Sequence, residues 1–164
     1  MIDDDTAPVT TLVTPIRLEY EYTPGRAPSR FLRHLTEGRL VGQRCPRCSK
    51  VYLPPRGSCP TCGVATDEEV ECSDRGVVTT FCVVNIPFAG QAVECPYVCA
   101  AVLVDGADIP LLHLVQEVDA ADVRMGMRVE AVWVDNPGPT MASIAYFRPS
   151  GEPDAPYESY KEHL

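Results

Sequence analysis

Four cysteines carry the clearest chemistry in this chain of 164 residues: Cys45 and Cys48, then Cys59 and Cys62, spaced C-x2-C, ten residues, C-x2-C. A C-x-x-C turn lets two thiolates converge on one ion while its backbone amides stabilise their charge, and two such turns complete a tetrahedral shell. The pattern specifies a structural Zn2+. Iron in a rubredoxin-like tetrathiolate site, with an electron-transfer role, is the alternative, and colour separates the two because ferric tetrathiolate absorbs visible light. Four thiolates leave no coordination position for water, which argues against zinc hydrolase chemistry.

The remaining reactive side chains form no catalytic signature, so no catalytic residue is assigned. Cys82 and Cys99 fall inside apolar runs and are expected as small buried hydrophobes; Cys72 and Cys95 lack companion ligands. His113 alternates with Leu111 and Val115 and reads as a hydrogen-bonded core or interface histidine, while His34 and His163 stand outside any motif. Asp105, Asp108, Asp119 and Asp122 sit at expected strand ends, where turn chemistry accounts for them. Phe81 and Trp133 are expected in the core. The apolar stretch from Phe88 to Val93 is expected to touch an acyl chain or a partner, since a loop otherwise has little reason to be apolar.

These groups need elements to position them, and 16 prolines with 11 glycines indicate short elements and many turns. Residues 1–25 read as an N-terminal arm, with Leu18, Tyr20 and Tyr22 alternating along an extended segment. Residues 26–66 should hold a short helix, with Ser29 as N-cap and Gly38 as stop, followed by the metal ribbon, whose strands Leu40–Arg44 and Val51–Leu53 flank the first cysteine pair. Asp67-Glu68-Glu69 reads as a linker. Residues 67–150 then carry five apolar runs, 77–86, 97–104, 109–118, 129–134 and 141–147, with turn signals at Asp105-Gly106 and Asp135-Asn136-Pro137-Gly138. The fold class is mainly β: five short strands suit a partly open Greek-key barrel of the OB type or a small sandwich. Residues 151–164 read as a C-terminal tail.

The net charge of −9 hides an asymmetry. Between residues 26 and 62 lie Arg26, Arg30, Arg33, Arg39, Arg44, Arg47, Lys50 and Arg56 against the single acid Glu37, so this stretch is +7 and the remainder −16. An anionic ligand or an acidic partner surface belongs there. Arginine pairs with phosphate in bidentate geometry, and Arg44, Arg47 and Lys50, which bracket the first cysteine pair, with Arg56, which ends the Pro-Pro-Arg segment, are the candidate cofactor-binding set. A single-stranded nucleic acid is the alternative ligand, but the barrel region is too acidic to track a phosphate backbone. No run approaches the roughly 20 apolar residues that span a bilayer, and the acidic start is unlike an export signal, so a reducing cytoplasm is the expected compartment.

The run from Phe31 through Cys48 (FLRHLTEGRLVGQRCPRC), Val51-Tyr-Leu-Pro-Pro-Arg56, Cys59-Pro-Thr-Cys62, Gly76-Val-Val-Thr-Thr-Phe-Cys-Val-Val84 and Asp122-Val-Arg-Met-Gly-Met-Arg-Val-Glu130 resembles a family of acyl-CoA-associated zinc-ribbon and OB-fold proteins. The resemblance covers about residues 29–148. It implies an N-terminal helix, a rubredoxin-like zinc ribbon and a C-terminal OB fold. It also implies a non-catalytic accessory subunit of a thiolase-like or lipid-transfer-protein-like aldolase enzyme. On this resemblance catalysis would belong to the partner, and a CoA thioester would be the ligand. Steroid or lipid side-chain degradation is the metabolic setting the resemblance suggests.

Overall fold

The computed structural model describes residues 8–14 and 18–164. The described part of the arm is irregular and exposed up to Pro24. Leu18, Tyr20 and Tyr22 remain open to solvent, with the two tyrosine rings 6.1 Å apart; the rest of the expected arm lies outside the described residues.

Helix α1 spans Arg26–Leu35 and buries Ala27, Phe31 and Leu35, a stripe at i, i+4 and i+8. It begins three residues before the expected N-cap. Gly25 occupies that position without a side-chain cap, Pro28 falls in the first turn where its missing N–H costs nothing, and the Ser29 hydroxyl donates back to the Gly25 carbonyl at 2.5 Å. Gly38 does stop the helix. Its positive φ of 68° permits the paired closing bonds Gly38 N to Leu35 O and Arg39 N to His34 O, both 3.1 Å.

Strands β1 (Leu40–Arg44), β2 (Val51–Tyr52) and β3 (Glu68–Cys72) form a three-stranded sheet in the order β2-β1-β3. The acidic triplet is therefore no linker. Glu68 and Glu69 open a strand that pairs antiparallel with β1 in register Arg44↔Glu68 and Leu40↔Cys72, so the ribbon sheet runs past residue 66. Propensity misleads here because glutamates rarely favour strands; ion pairs to β1 and α1 supply the compensation.

Strands β4 (Arg75–Val84), β5 (Tyr97–Val104), β6 (Leu111–Val115), β7 (Arg128–Trp133) and β8 (Ile144–Pro149) close into a barrel in the order β4-β5-β6-β8-β7. All pairings are antiparallel except β6 with β8, which meet in parallel at Val115↔Phe147. This is the five-stranded OB arrangement, closed rather than partly open. Gly76 is obligatory at the crossing of β4 and β5, because a Cβ there would lie 2.6 Å from the Leu103 carbonyl oxygen.

One apolar core joins ribbon to barrel: Phe31 and Leu35 of α1, Leu40 and Leu53 of the ribbon, and Val78, Val102, Val129, Ile144 and Phe147 of the barrel belong to a single buried cluster. Asp108 ties the two parts further. Its carboxylate accepts the Val51 N–H at 2.7 Å, and its own N–H donates to the Val51 carbonyl at 2.9 Å. The C-terminal segment is also docked, contrary to the tail reading. Tyr160 is buried against Val77 and Leu103, Ala155 N bonds Gly126 O, and the His163 ring donates to the Asp108 carbonyl at 2.9 Å.

Candidate functional site

Each cysteine knuckle is built by the same short-range bonds. Cys45 N donates to Lys50 O at 2.8 Å and Ser49 N to Cys45 O at 3.0 Å; in the second knuckle Cys59 N donates to Val64 O at 2.8 Å and Gly63 N to Cys59 O at 2.9 Å. Ser49 (φ 63°) and Gly63 (φ 65°) occupy the equivalent left-handed position. The turns fold the amides of Arg47 and Cys48 onto Cys45 Sγ at 3.4 and 3.5 Å, and that of Cys62 onto Cys59 Sγ at 3.4 Å. Sequence spacing alone foresees this convergence.

The four sulfurs lie within 4.8 Å of one another, and Cys48 and Cys59 Sγ are 3.7 Å apart. A tetrahedral zinc with Zn–S near 2.3 Å requires sulfur–sulfur edges of about 3.8 Å. The donor set and its dimensions therefore fit Zn2+, and no further His, Cys, Asp or Glu joins the cluster among the described residues. Sequence reasoning missed Tyr52, which is buried with its hydroxyl 3.1 Å from Cys59 Sγ. As a free thiol Cys59 is pulled down to about 6, first by the Tyr52 hydroxyl, then by backbone amides working against burial. Cys62 is pushed up to about 12, chiefly by burial. A divalent ion would stabilise these ligands as thiolates, leaving a net charge of about −2 at the centre, and lock the two knuckles.

The basic stretch is partly quenched by the fold. Glu68 holds Arg44 at 3.2 Å, Glu71 and Glu37 hold Arg39 at 2.7 and 3.1 Å, and Glu69 lies 3.8 Å from Arg30 and 3.3 Å from His34. Among the described residues Arg26, Arg33, Arg47, Lys50 and Arg56 form no ion pair; Arg56 instead places its guanidinium 5.8 Å above the Tyr52 ring. Of the candidate cofactor set, Arg47, Lys50 and Arg56 project from the ribbon surface, whereas Arg44 is engaged by Glu68 and the Ser49 carbonyl. A second basic group lies on α1. Arg26, Arg30 and Arg33, at i, i+4 and i+7, share one helix face and border adjoining depressions, one of about 430 Å³ that also includes Gln43 and Thr66.

The other reactive side chains stand apart from both groups. Cys82 is exposed and Cys99 half-buried, a correction to the expectation that both are core, because they are cross-strand neighbours on the outer side of the barrel. Phe81 faces inward beside Ala100 yet stays 36% exposed, since β7 leaves β4 after Val77; Trp133 is half-buried against the core as expected. His113 accepts the Leu114 N–H on Nδ1 at 2.9 Å and meets Phe147 edge-on at 5.8 Å, the hydrogen-bonded histidine its strand position implied. Burial pushes its pKa down.

Comparison with known proteins accounts for both halves of the architecture. Residues 33–68 match the family described as the ChsH2 rubredoxin-like zinc ribbon domain, and residues 69–134 match the ChsH2 C-terminal OB-fold domain. A DUF35 domain-containing scaffold protein of Methanocaldococcus jannaschii is 38% identical, the match covering 63% of this chain and 74% of the relative. A probable enoyl-CoA hydratase alpha subunit of Thermomonospora curvata is 34% identical over 68% of this chain but only 34% of its own length. Among solved structures, the Ltp2-ChsH2(DUF35) aldolase aligns with a TM-score of 0.60 at 27% identity, over 79% of this chain and 99% of that one. A helix, a four-cysteine ribbon and a five-stranded OB barrel in this order, matched along the chain in sequence and in structure, place this protein in the ChsH2-type family of DUF35 zinc-ribbon and OB-fold proteins.

Proposed function

We propose that the chain is a non-catalytic scaffold subunit of an enzyme that makes or breaks carbon–carbon bonds in acyl-CoA substrates, in a cytoplasm reducing enough to keep its eight cysteines out of disulfides. The observation that carries this reading is the closed four-thiolate centre on a chain of a scaffold family. Its metal has no position for substrate, and no cysteine is hydrogen-bonded to a histidine base among the described residues. The relatives' names support the class of partner, since one is an aldolase named for two components and another an enoyl-CoA hydratase subunit.

In this reading the zinc holds the ribbon, and the ribbon and α1 present arginines to the phosphates of coenzyme A while a thiolase-like or lipid-transfer-protein-like subunit performs thiolysis or retro-aldol cleavage. The face of α1 with Arg26, Arg30 and Arg33, together with the ribbon residues Arg47, Lys50 and Arg56, supplies the phosphate contacts. Arg26, Arg33, Arg47 and Arg56 form no ion pair among the described residues and keep their capacity for bidentate phosphate contacts, while Arg30 is shared with Glu69 at 3.8 Å. Degradation of lipid or steroid side chains is the setting we favour.

The test is affinity purification of the tagged protein from its native host, identification of bound subunits by mass spectrometry, and assay of CoA-thioester cleavage with and without this chain. Recovery of a lipid-transfer-protein-like or thiolase-like subunit whose activity falls on removal of the chain is expected; a chain recovered alone overturns the reading. In the recovered complex, the double substitution Arg26→Ala, Arg33→Ala should raise the apparent Kd for CoA by about tenfold, roughly 1.4 kcal/mol, and increasingly so at low ionic strength, whereas Arg44→Ala should have a smaller effect.

A further inference from the structure

In OB folds the ligand face is the outer surface of the second and third barrel strands with the loops beside it. Here those strands are β5 and β6, flanked by β4. Val98, Ala100 and Val102 of β5 point into the core, so Tyr97, Cys99 and Ala101 form the outer side. The register sets Cys82, Cys99 and Leu114 in one row across β4, β5 and β6, and Ala101 beside Leu112 in the next. No charged residue stands in either row, in a chain where charged residues make up 23%. Leu112 is 68% exposed, and the loop leaving β4 adds Ile86 at 81% and Phe88 at 61%. Single apolar side chains are ordinary on a surface, but an uncharged sheet face three strands wide with an apolar loop at its end is a contact surface.

The edge of β4 is a second, independent feature. β7 pairs with β4 only at Arg75–Val77, and the last backbone bonds on that side join Val78 to Gly126 and Met127. Beyond this point β4 has β5 on one side and no strand on the other among the described residues. The segment Thr80–Val84 contains no lysine, proline or acid of the kind that usually blunts an open edge.

We propose that the outer face of β4-β5-β6 and the open edge Thr80–Val84 form the docking surface for the enzyme subunit, which covers them with an uncharged apolar surface and lays an extended strand along β4. This rests on the scaffold reading and identifies the surface it uses. Charge selects the occupant: a phosphate polymer needs cations that the face lacks, and an acyl chain needs a concave pocket where the sheet offers an open face. Strand addition satisfies the free amides and carbonyls of the edge, while alternate side chains supply apolar contact.

The experiment uses the full-length zinc-loaded chain and, as probe, the CoA-thioester-cleaving subunit that co-purifies with it. Leu112→Glu and Ile86→Asp replace exposed side chains, so zinc content and Tm should match the unsubstituted chain. Each should weaken binding of that subunit at least about tenfold, and amide exchange at Thr80–Val84 should slow on complex formation. Unchanged affinity in both variants with unprotected Thr80–Val84 amides overturns the docking surface and leaves the scaffold reading standing; failure of the unsubstituted chain to bind any such subunit overturns the scaffold reading itself. A chain that dimerises alone and is made monomeric by Leu112→Glu gives the face to a second copy. Palmitoyl-CoA binding to the isolated chain that Leu112→Glu abolishes gives it to an acyl group. Either result also overturns the proposal.

Discussion

The Tyr52 hydroxyl is the contact that most directly tunes the metal centre. Groups outside the ligand set that hydrogen-bond a ligand commonly contribute ten- to hundredfold to metal affinity, and this hydroxyl lies 3.1 Å from Cys59 Sγ inside the buried ribbon core. Tyr52→Phe keeps the packing and removes the donor, so competition against a chromophoric chelator should show about tenfold weaker zinc binding with the fold retained. His113 governs a different property. Burial lowers its pKa from 6.5, so between that value and its folded pKa the unfolded chain binds more protons than the folded one, and stability falls as pH falls. Glu71, held down by Arg39, and Glu152, held down by Arg128, act in the same direction below their ordinary 4.5. Denaturant titrations should therefore lose stability from about pH 6.5 downward, and His113→Gln should flatten the part of that slope above pH 5, where the two glutamates are still ionised.

At the scale of elements, Asp108 makes a polar contact that couples the ribbon to the barrel. Its side chain sits just before β6 and extends the pairing of β2 by holding the N–H of the buried Val51. Asp108→Ala leaves that N–H unsatisfied and should cost about 1–3 kcal/mol, read as a lower urea midpoint with an unchanged m-value. A turn preference explains an aspartate at this position from sequence, and the reach across 57 residues to Val51 is invisible to it. The same holds for β3: Glu68, Glu69 and Glu71 look like solvated linker residues until Arg44, Arg30, His34 and Arg39 are placed opposite them. Three of the eight cations of the basic stretch, Arg30, Arg39 and Arg44, are consumed or shared in this way, and the free arginines are thereby concentrated on α1 and the knuckle surface.

For the whole molecule, the shared core predicts one cooperative unit. Phe31, Leu35 and Leu53 belong to the same buried cluster as Val78 and Phe147, so loss of the ribbon exposes one side of the barrel core. Chelation of the metal should lower the midpoint of a single thermal transition rather than melt the ribbon separately. With metal a thousandfold above its Kd the contribution is about 4 kcal/mol, or roughly 10–15 °C for a chain of this size. Two resolved transitions in calorimetry would mean that the core does not couple the halves. The surface is divided as well: basic along α1 and the ribbon, uncharged along the outer side of β4-β5-β6, and acidic elsewhere, which suits a subunit that holds an anionic ligand with one face and a protein with another.

The sequence by itself determined whatever depends on local spacing. Two C-x-x-C turns oblige their thiolates to converge, apolar runs broken by Asp-Gly and Asn-Pro-Gly give five strands within a few residues of their observed limits, and Gly38 ends the helix because a positive φ is inexpensive there. Tertiary structure alone decided which distant residues meet. It paired the glutamates of β3 with three of the eight cations of the basic stretch, brought Tyr52 to Cys59, docked the C-terminal segment through Tyr160, and turned Cys82 and Cys99 outward onto an uncharged face. The reason is physical: period and turn chemistry act over a few residues, whereas register, barrel closure and charge pairing depend on the free energy of the assembled whole.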